Sequence, residues 1–229
     1  MYLPSGVYHE TYAATHAWWQ TGVVRGKMGL LLLFVFTLPL YANLYVLSVA
    51  NITLYTILSA LGVQLLIGYC GQITLGHAAF IAVGAYVTAM GVLFWGLPYP
   101  VAAVAGCFLA GIWSALFGLP SARIKGFYMI MTTMAAQFIT VDFIITHYVS
   151  RVGGREHYFS LPPGTITIGG WPVDGEARVY YLASTLTILC LAALANLLRT
   201  RVGRAWIAIR DNDIAAEAMG VNVVAYKLL

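Results

Sequence analysis

Residues 44–94 read LYVLSVANITLYTILSALGVQLLIGYCGQITLGHAAFIAVGAYVTAMGVLF. Two apolar runs, Leu44 to Tyr69 and Ile73 to Phe94, flank a short polar insert. An α-helix needs about 20 apolar residues to cross about 30 Å of hydrocarbon, and each run meets that length. Alternation of the kind found in a membrane barrel is absent. The insert, Gly71-Gln72-Ile73-Thr74-Leu75-Gly76-His77, holds two glycines and three polar side chains. Backbone that leaves the helix at membrane depth must be buried in protein or line a watery cavity, because lipid cannot satisfy its N–H and C=O groups. The insert therefore reads either as a broken helix beside a transport path or as a plain inner-side turn. Beyond it, Ala78, Ala82, Ala85 and Ala89 fall on one helix face, and small side chains there predict close contact with a neighbouring helix.

The rest of the chain fits this reading. Of 229 residues, 61% are hydrophobic and 9% charged; an ordinary soluble domain carries roughly 25% charged residues, so the chain lacks the polar surface of a water-soluble protein. Mean hydropathy is +0.82. Crossings are predicted at Met28 to Ala42, Leu44 to Tyr69, Ile73 to Phe94, Pro100 to Leu119, Gly126 to Tyr148 and Val179 to Leu198. Only Pro39, Tyr41 and Asn43 divide the first two. The predicted fold class is an all-α integral membrane protein, a polytopic helical bundle with about six transmembrane helices and a helix broken near residues 71–77.

Charge placement gives the orientation. Arg25, Lys27, Arg123, Lys125, Arg199, Arg201, Arg204, Arg210 and Lys227, nine of the twelve basic residues, fall on one side if the count is even. By the positive-inside rule that side is cytoplasmic, as is the amino terminus. Arg151, Arg155 and Arg178 lie opposite, beside Glu156, Asp174 and Glu176. Residues 1–27 read as a cytoplasmic leader without the basic n-region and apolar h-region of a signal peptide; 28–198 as the transmembrane domain, with a Gly- and Pro-rich external loop at 149–178; and 199–229 as a cytoplasmic segment. No basic and aromatic surface patterned for nucleic acid is evident.

Two further features invite a function. In the fifth run Thr133, Gln137 and Thr140 fall at i, i+4 and i+7, with His147 in phase, a polar stripe that either lines a path or bonds to neighbouring helices. Asp142 lies nearly opposite it, and its nearness to the outer end favours an interfacial position over a functional one. In the tail, Asp213 reads as an N-cap, Ile214 to Met219 as a short helix and Gly220 as its stop. So short a helix is not stable alone in water and must dock on this chain or on a partner. Cys70, Cys107 and Cys190 sit inside apolar runs without metal-ligand spacing. No P-loop, HExxH, nucleophile elbow or CxxC pair is present, so no catalytic residue, cofactor or metal is expected and the energy must come from elsewhere.

Gly68-Tyr-Cys-Gly-Gln-Ile-Thr-Leu-Gly-His-Ala-Ala-Phe-Ile-Ala-Val-Gly-Ala-Tyr86 closely resembles the signature of the branched-chain amino-acid ABC permeases, and Arg201 to Leu229 is similar to that family's cytoplasmic coupling loop. Leu119 to Gln137 adds a weaker match. The resemblance, from about Leu30 onward, implies an ATP-driven importer in the bacterial inner membrane. This subunit would pair with a second permease subunit in a heterodimer, with two ABC ATPase subunits and an extracytoplasmic solute-binding protein. Its cargo would be leucine, isoleucine and valine, or in related systems urea or short amides. Carried over, Gly71, Gln72, Thr74, Gly76 and His77 would sit at the path, joined by Thr133, Gln137 and Thr140. Ile207, Arg210, Asp213, Glu217 and Gly220 would couple to the ATPase. Members of the family continue into further membrane helices where this sequence ends at Leu229, so a next span is expected to be missing. Gln137 stands where many relatives carry an acidic residue, and Gly153-Gly-Arg-Glu-His157 resembles the glycine-rich outer motif only in part. A self-contained channel or ion-coupled carrier built on Asp142 and His77 is the competing class.

Overall fold

A computed structural model describes residues 22–121, 127–147, 161–162, 164–168, 171–173 and 175–228. Six helices dominate: α1 Gly22–Tyr41, α2 Leu44–Val63, α3 His77–Leu93, α4 Tyr99–Ser121, α5 Phe127–Phe138 and α6 Glu176–Arg199. Two of them run on into wider π-helical turns, α2 through Gln64–Tyr69 and α5 through Ile139–Ile145. Three shorter helices follow: α7 Arg201–Asp211, α8 Asp213–Ala218 and α9 Val223–Leu228. The only described strands are a two-residue pair, β1 Thr167–Ile168 with β2 Trp171–Pro172.

The architecture is the all-α, multi-pass one that hydropathy predicts. Val23–Tyr41, Leu44–Tyr69, Tyr99–Pro120 and Glu176–Arg199 are each long and apolar enough to cross a membrane. α3 has 17 residues, or about 26 Å of helix, because the insert before it is not helical. α1 begins at Gly22, inside the expected leader, so the helix extends past the apolar run and takes in Arg25 and Lys27, whose long stems can reach the interface. Residues 1–21, which include Trp18 and Trp19, lie outside the described residues. The break between the first two spans falls at Ala42 and Asn43, with Pro39 kept inside α1. At the outer loop, α6 starts at Glu176, two residues before the predicted end, and Arg178 donates to the Pro172 carbonyl at 2.8 Å; 148–160, with Arg151 and Arg155, are outside the described residues.

The helices pack in two groups. In the first, α6 lies against α2 and α1. Tyr180 near the start of α6 donates to the Val35 carbonyl late in α1 at 2.9 Å, so these two run antiparallel. Asn51, early in α2 and 3% exposed, donates to the Glu176 carboxylate at 2.7 Å. In the second group α3 packs most closely on α4. The contact is made by Gly84, Thr88 and Gly91 against Ala102, Gly106 and Ala110: a Cβ on Gly106 would stand 2.7 Å from the Gly84 carbonyl oxygen, and one on Gly91 3.2 Å from the Ala102 Cβ. Small residues on both helices let the backbones approach where hydrophobic burial gives no drive. The predicted alanine face is therefore displaced: Ala78 and Ala85 are exposed, and glycines, which allow closer approach than alanine, take the contact beside Thr88. Outward-facing Val104 and Phe108, each 71% exposed, suit a lipid surface.

Candidate functional site

The two groups meet at the polar insert. α2 winds out into its π-helical turn, where the Cys70 N–H bonds to the Leu65 carbonyl and the Gln72 N–H to Leu66. Gly71 then takes φ +72°, left-handed backbone that favours glycine. α3 begins only at His77. Between them the Thr74 hydroxyl accepts from the Gly76 N–H at 3.2 Å, and the Thr133 hydroxyl of α5 accepts from the Leu75 N–H at 3.2 Å. Two of the amides freed by the break, those of Leu75 and Gly76, are thus taken up by threonines, as backbone outside a helix at membrane depth requires. A Cβ on Gly76 would stand 2.8 Å from the Thr133 carbonyl oxygen. The insert is the helix break expected near residues 71–77, held against α5.

A cavity of about 150 Å³ opens here. Gln72, Thr74, Ser114, Thr133 and Lys227 give it polar points, and Leu66, Phe80, Phe117 and Met129 apolar walls. Of the predicted path residues, Gln72, Thr74 and Thr133 are thus brought together. Gly71 and Gly76 shape the backbone beside them. The His77 ring instead packs on α2, 2.7 Å from where a Gly62 Cβ would be. Thr140 is fully buried, donating to Ala136 at 2.7 Å and accepting from the Trp113 indole at 3.1 Å, so its hydroxyl ties α5 to α4. Gln137 is half-buried and outside the cavity lining. The expected phase of His147 fails for a physical reason: α5 becomes π-helical from Ile139, and its i→i+5 bonding turns later residues away from an α-helical register.

The tail folds onto this break. Thr200 turns the chain between α6 and α7, capping the Val202 N–H at 3.2 Å. Gly203 lets α7 come back, since a Cβ there would stand 2.5 Å from the Leu198 Cα. Buried Ala205, Trp206 and Ile209 form the inner face of α7. The Trp206 indole donates to the Tyr226 carbonyl at 2.7 Å, joining α7 to α9. Lys227 stands 3.9 Å from Asp213, and its carbonyl accepts from the Gln72 amide at 3.4 Å. A second cavity of about 350 Å³ lies on this side of the break, lined by Gly71, Gln72, Arg210, Asn212, Asp213 and Lys227 among others.

α8 differs in one detail from expectation. Its cap is Asn212, whose Oδ1 accepts from the Ile214 and Ala215 N–H groups, each at 3.1 Å. Asp213 is the first helical residue and turns to Lys227 instead. Gly220 ends the helix at φ +86°, with the Val221 N–H bonded to Ala216 and the Gly220 N–H to Glu217, a Schellman closure. Ile207, Glu217 and Gly220 are exposed, as are Ile214 at 71% and Met219 at 85%.

Residues 45–229 match the family described as the permease component of branched-chain amino acid transport systems. The chain belongs to that permease family. The matched region takes in the break, its cavity and α7 to α9. Among its relatives are the high-affinity branched-chain amino acid transport system permease protein LivM of Escherichia coli (strain K12), 27% identical over 228 residues, and that of Salmonella typhimurium (strain LT2), 28% identical over 232 residues. In both cases 90% of this chain is covered and 53% of the relative, so the chain spans about half the length of the curated relatives it matches. No solved structure matches. Family and apolar helices together make this permease a multi-pass membrane protein.

Proposed function

We propose that this chain is a membrane-spanning subunit of an ATP-driven importer that carries leucine, isoleucine and valine across the bacterial inner membrane. A second permease subunit would complete the path, two ABC ATPase subunits would supply energy, and an extracytoplasmic solute-binding protein would deliver the cargo. The observation that carries the reading is the double-sided tail: α8 presents exposed Ile214, Glu217 and Met219 outward, while the same segment touches the broken helix through Lys227 and Gln72. A partner that moves α8 has a direct route to the cavity, which is what alternating access requires of a subunit driven by a separate ATPase.

The proposed sidedness draws on the same arrangement. The amino-terminal end of α1 lies at the end of the bundle where α6 gives way to α7, because α1 and α6 are antiparallel. Arg25, Lys27, Arg199, Arg201, Arg204 and Arg210 gather there, and the positive-inside rule supports reading that end as the cytoplasmic side.

The cavity's apolar walls with polar points suit a branched aliphatic side chain bearing a charged head group. The carrier reading loses support: the insert lies level with Thr133, and Asp142 is nine residues further along, beyond the start of the π-helical turn and on the exposed surface. The test is uptake of labelled leucine by proteoliposomes holding the assembled complex. ATP-dependent uptake resistant to excess urea is expected. Competition by urea would reassign the cargo to urea or short amides, and uptake driven by an ion gradient without ATP would overturn the reading.

A further inference from the structure

We infer that Arg210 is a positioning residue of the permease itself, tying the coupling segment to the broken end of α2 so that a displacement of α8 reaches the cavity through the Gly68–Gln72 backbone. The inference rests on the proposed function and deepens it, since family resemblance places Arg210 among the residues that meet the ATPase. The geometry turns one edge of its guanidinium toward α2, on a side chain that stays 46% exposed. Its Nη1 donates to the Gly68 carbonyl at 2.8 Å, one of the acceptors that a helix end leaves without an intrahelical partner. Its stem covers Gly71 so closely that a Cβ there would stand 2.9 Å from Arg210 Cγ and 3.4 Å from its Cα. Nε and Nη2 are held by Asp211 Oδ1 at 3.4 and 3.3 Å, so the planar guanidinium is oriented from both sides, which a lysine ammonium cannot reproduce.

Arg210 is the penultimate residue of α7, and α8 follows after Asn212 alone. α7 is in turn fastened to α9 by Trp206 and Tyr226, and α8 to α9 by Asp213 and Lys227. The three helices therefore move as one clip with two grips on the insert, Arg210 on Gly68 and Gly71 and the Lys227 carbonyl on Gln72. Of the two, the charge-assisted bond is the stronger. The outward docking surface is left to Ile214, Glu217 and Met219.

Two readouts on the assembled complex in nanodiscs test this. In Arg210→Ala, amide exchange at Cys70 and Gln72 should quicken about tenfold, the amount of co-purified ATPase should stay unchanged, and leucine taken up per ATP hydrolysed should fall about tenfold. Arg210→Lys should lie between, and serves if the alanine variant does not assemble. Loss of the ATPase from Arg210→Ala would make Arg210 a docking contact and overturn the inference, as would unaltered exchange with unaltered coupling. Absence of ATPase from the unmutated chain would instead defeat the proposed function, while the exchange readout still decides whether Arg210 holds the insert.

Discussion

Gly76 faces Thr133 across the broken helix with no room for a side chain: a Cβ would stand 2.8 Å from the Thr133 carbonyl oxygen. Backbone cannot give way as the end of a flexible side chain can, so any larger residue must push α5 from the insert. Thr133 would then lose its bond to the Leu75 N–H and its place in the cavity wall. Gly76→Ala should cut uptake about tenfold, and Gly76→Leu should abolish it, with the protein still reaching the membrane. Uptake assays beside immunoblots of membrane fractions check this; normal transport by the leucine variant would mean that the close approach is dispensable.

α4 and α5 are joined by Trp113 and Thr140 at 3.1 Å, and the Thr140 hydroxyl keeps its bond to Ala136 when the indole is gone. Trp113→Phe and Thr140→Val should each lower stability by about 1 kcal/mol beyond any packing loss, the scale of a hydrogen bond between membrane helices. In a double-mutant cycle followed by thermal unfolding in detergent, the two should be coupled by a similar amount. Strict additivity would show that the bond contributes nothing.

How much of this was legible beforehand depended on whether a residue's role was local. Helix existence followed from apolar run length, and Gly71 and Gly76 announced the break because glycine in a polar insert between spans has few other uses. Gly220 was legible as a stop. The π-helical turns at Gln64–Tyr69 and Ile139–Ile145 carry no period of their own, so the polar stripe was traced past the point where its register changes. Asp213 and Asn212 are both good caps, and spacing alone does not choose between them; Asn212 caps α8, while Asp213 faces Lys227, fourteen residues away. Nor could spacing show that Arg210 turns toward α2, because its partner, Gly68, lies 142 positions earlier.

α8 should be sensitive at both ends. Asn212→Ala removes an acceptor shared by two amides, and Gly220→Ala places a Cβ at φ +86°; each should cost about 1 kcal/mol of local stability. Replacing Glu217 and Gly220 together should uncouple ATP hydrolysis from uptake while the protein stays in the membrane. Parallel assays of phosphate release and leucine uptake check this, and unchanged uptake would remove α8 from the docking surface.

Sidedness can be read from two exposed arginines at opposite ends of α6, Arg178 near its start and Arg204 just beyond its end. Single cysteines at these positions, in a background lacking the native three, should react with a membrane-impermeant maleimide from opposite faces, Arg178→Cys from outside. Labelling of both from one face would overturn the topology.

The central claim is that this permease-family chain works as one subunit of an ATP-driven importer. Affinity purification of the chain from its native membrane in mild detergent, with mass spectrometry of what accompanies it, tests that most directly. An ATP-binding-cassette ATPase should be recovered together with a second permease subunit. Recovery of the chain alone, under conditions that keep other membrane complexes whole, would contradict the claim.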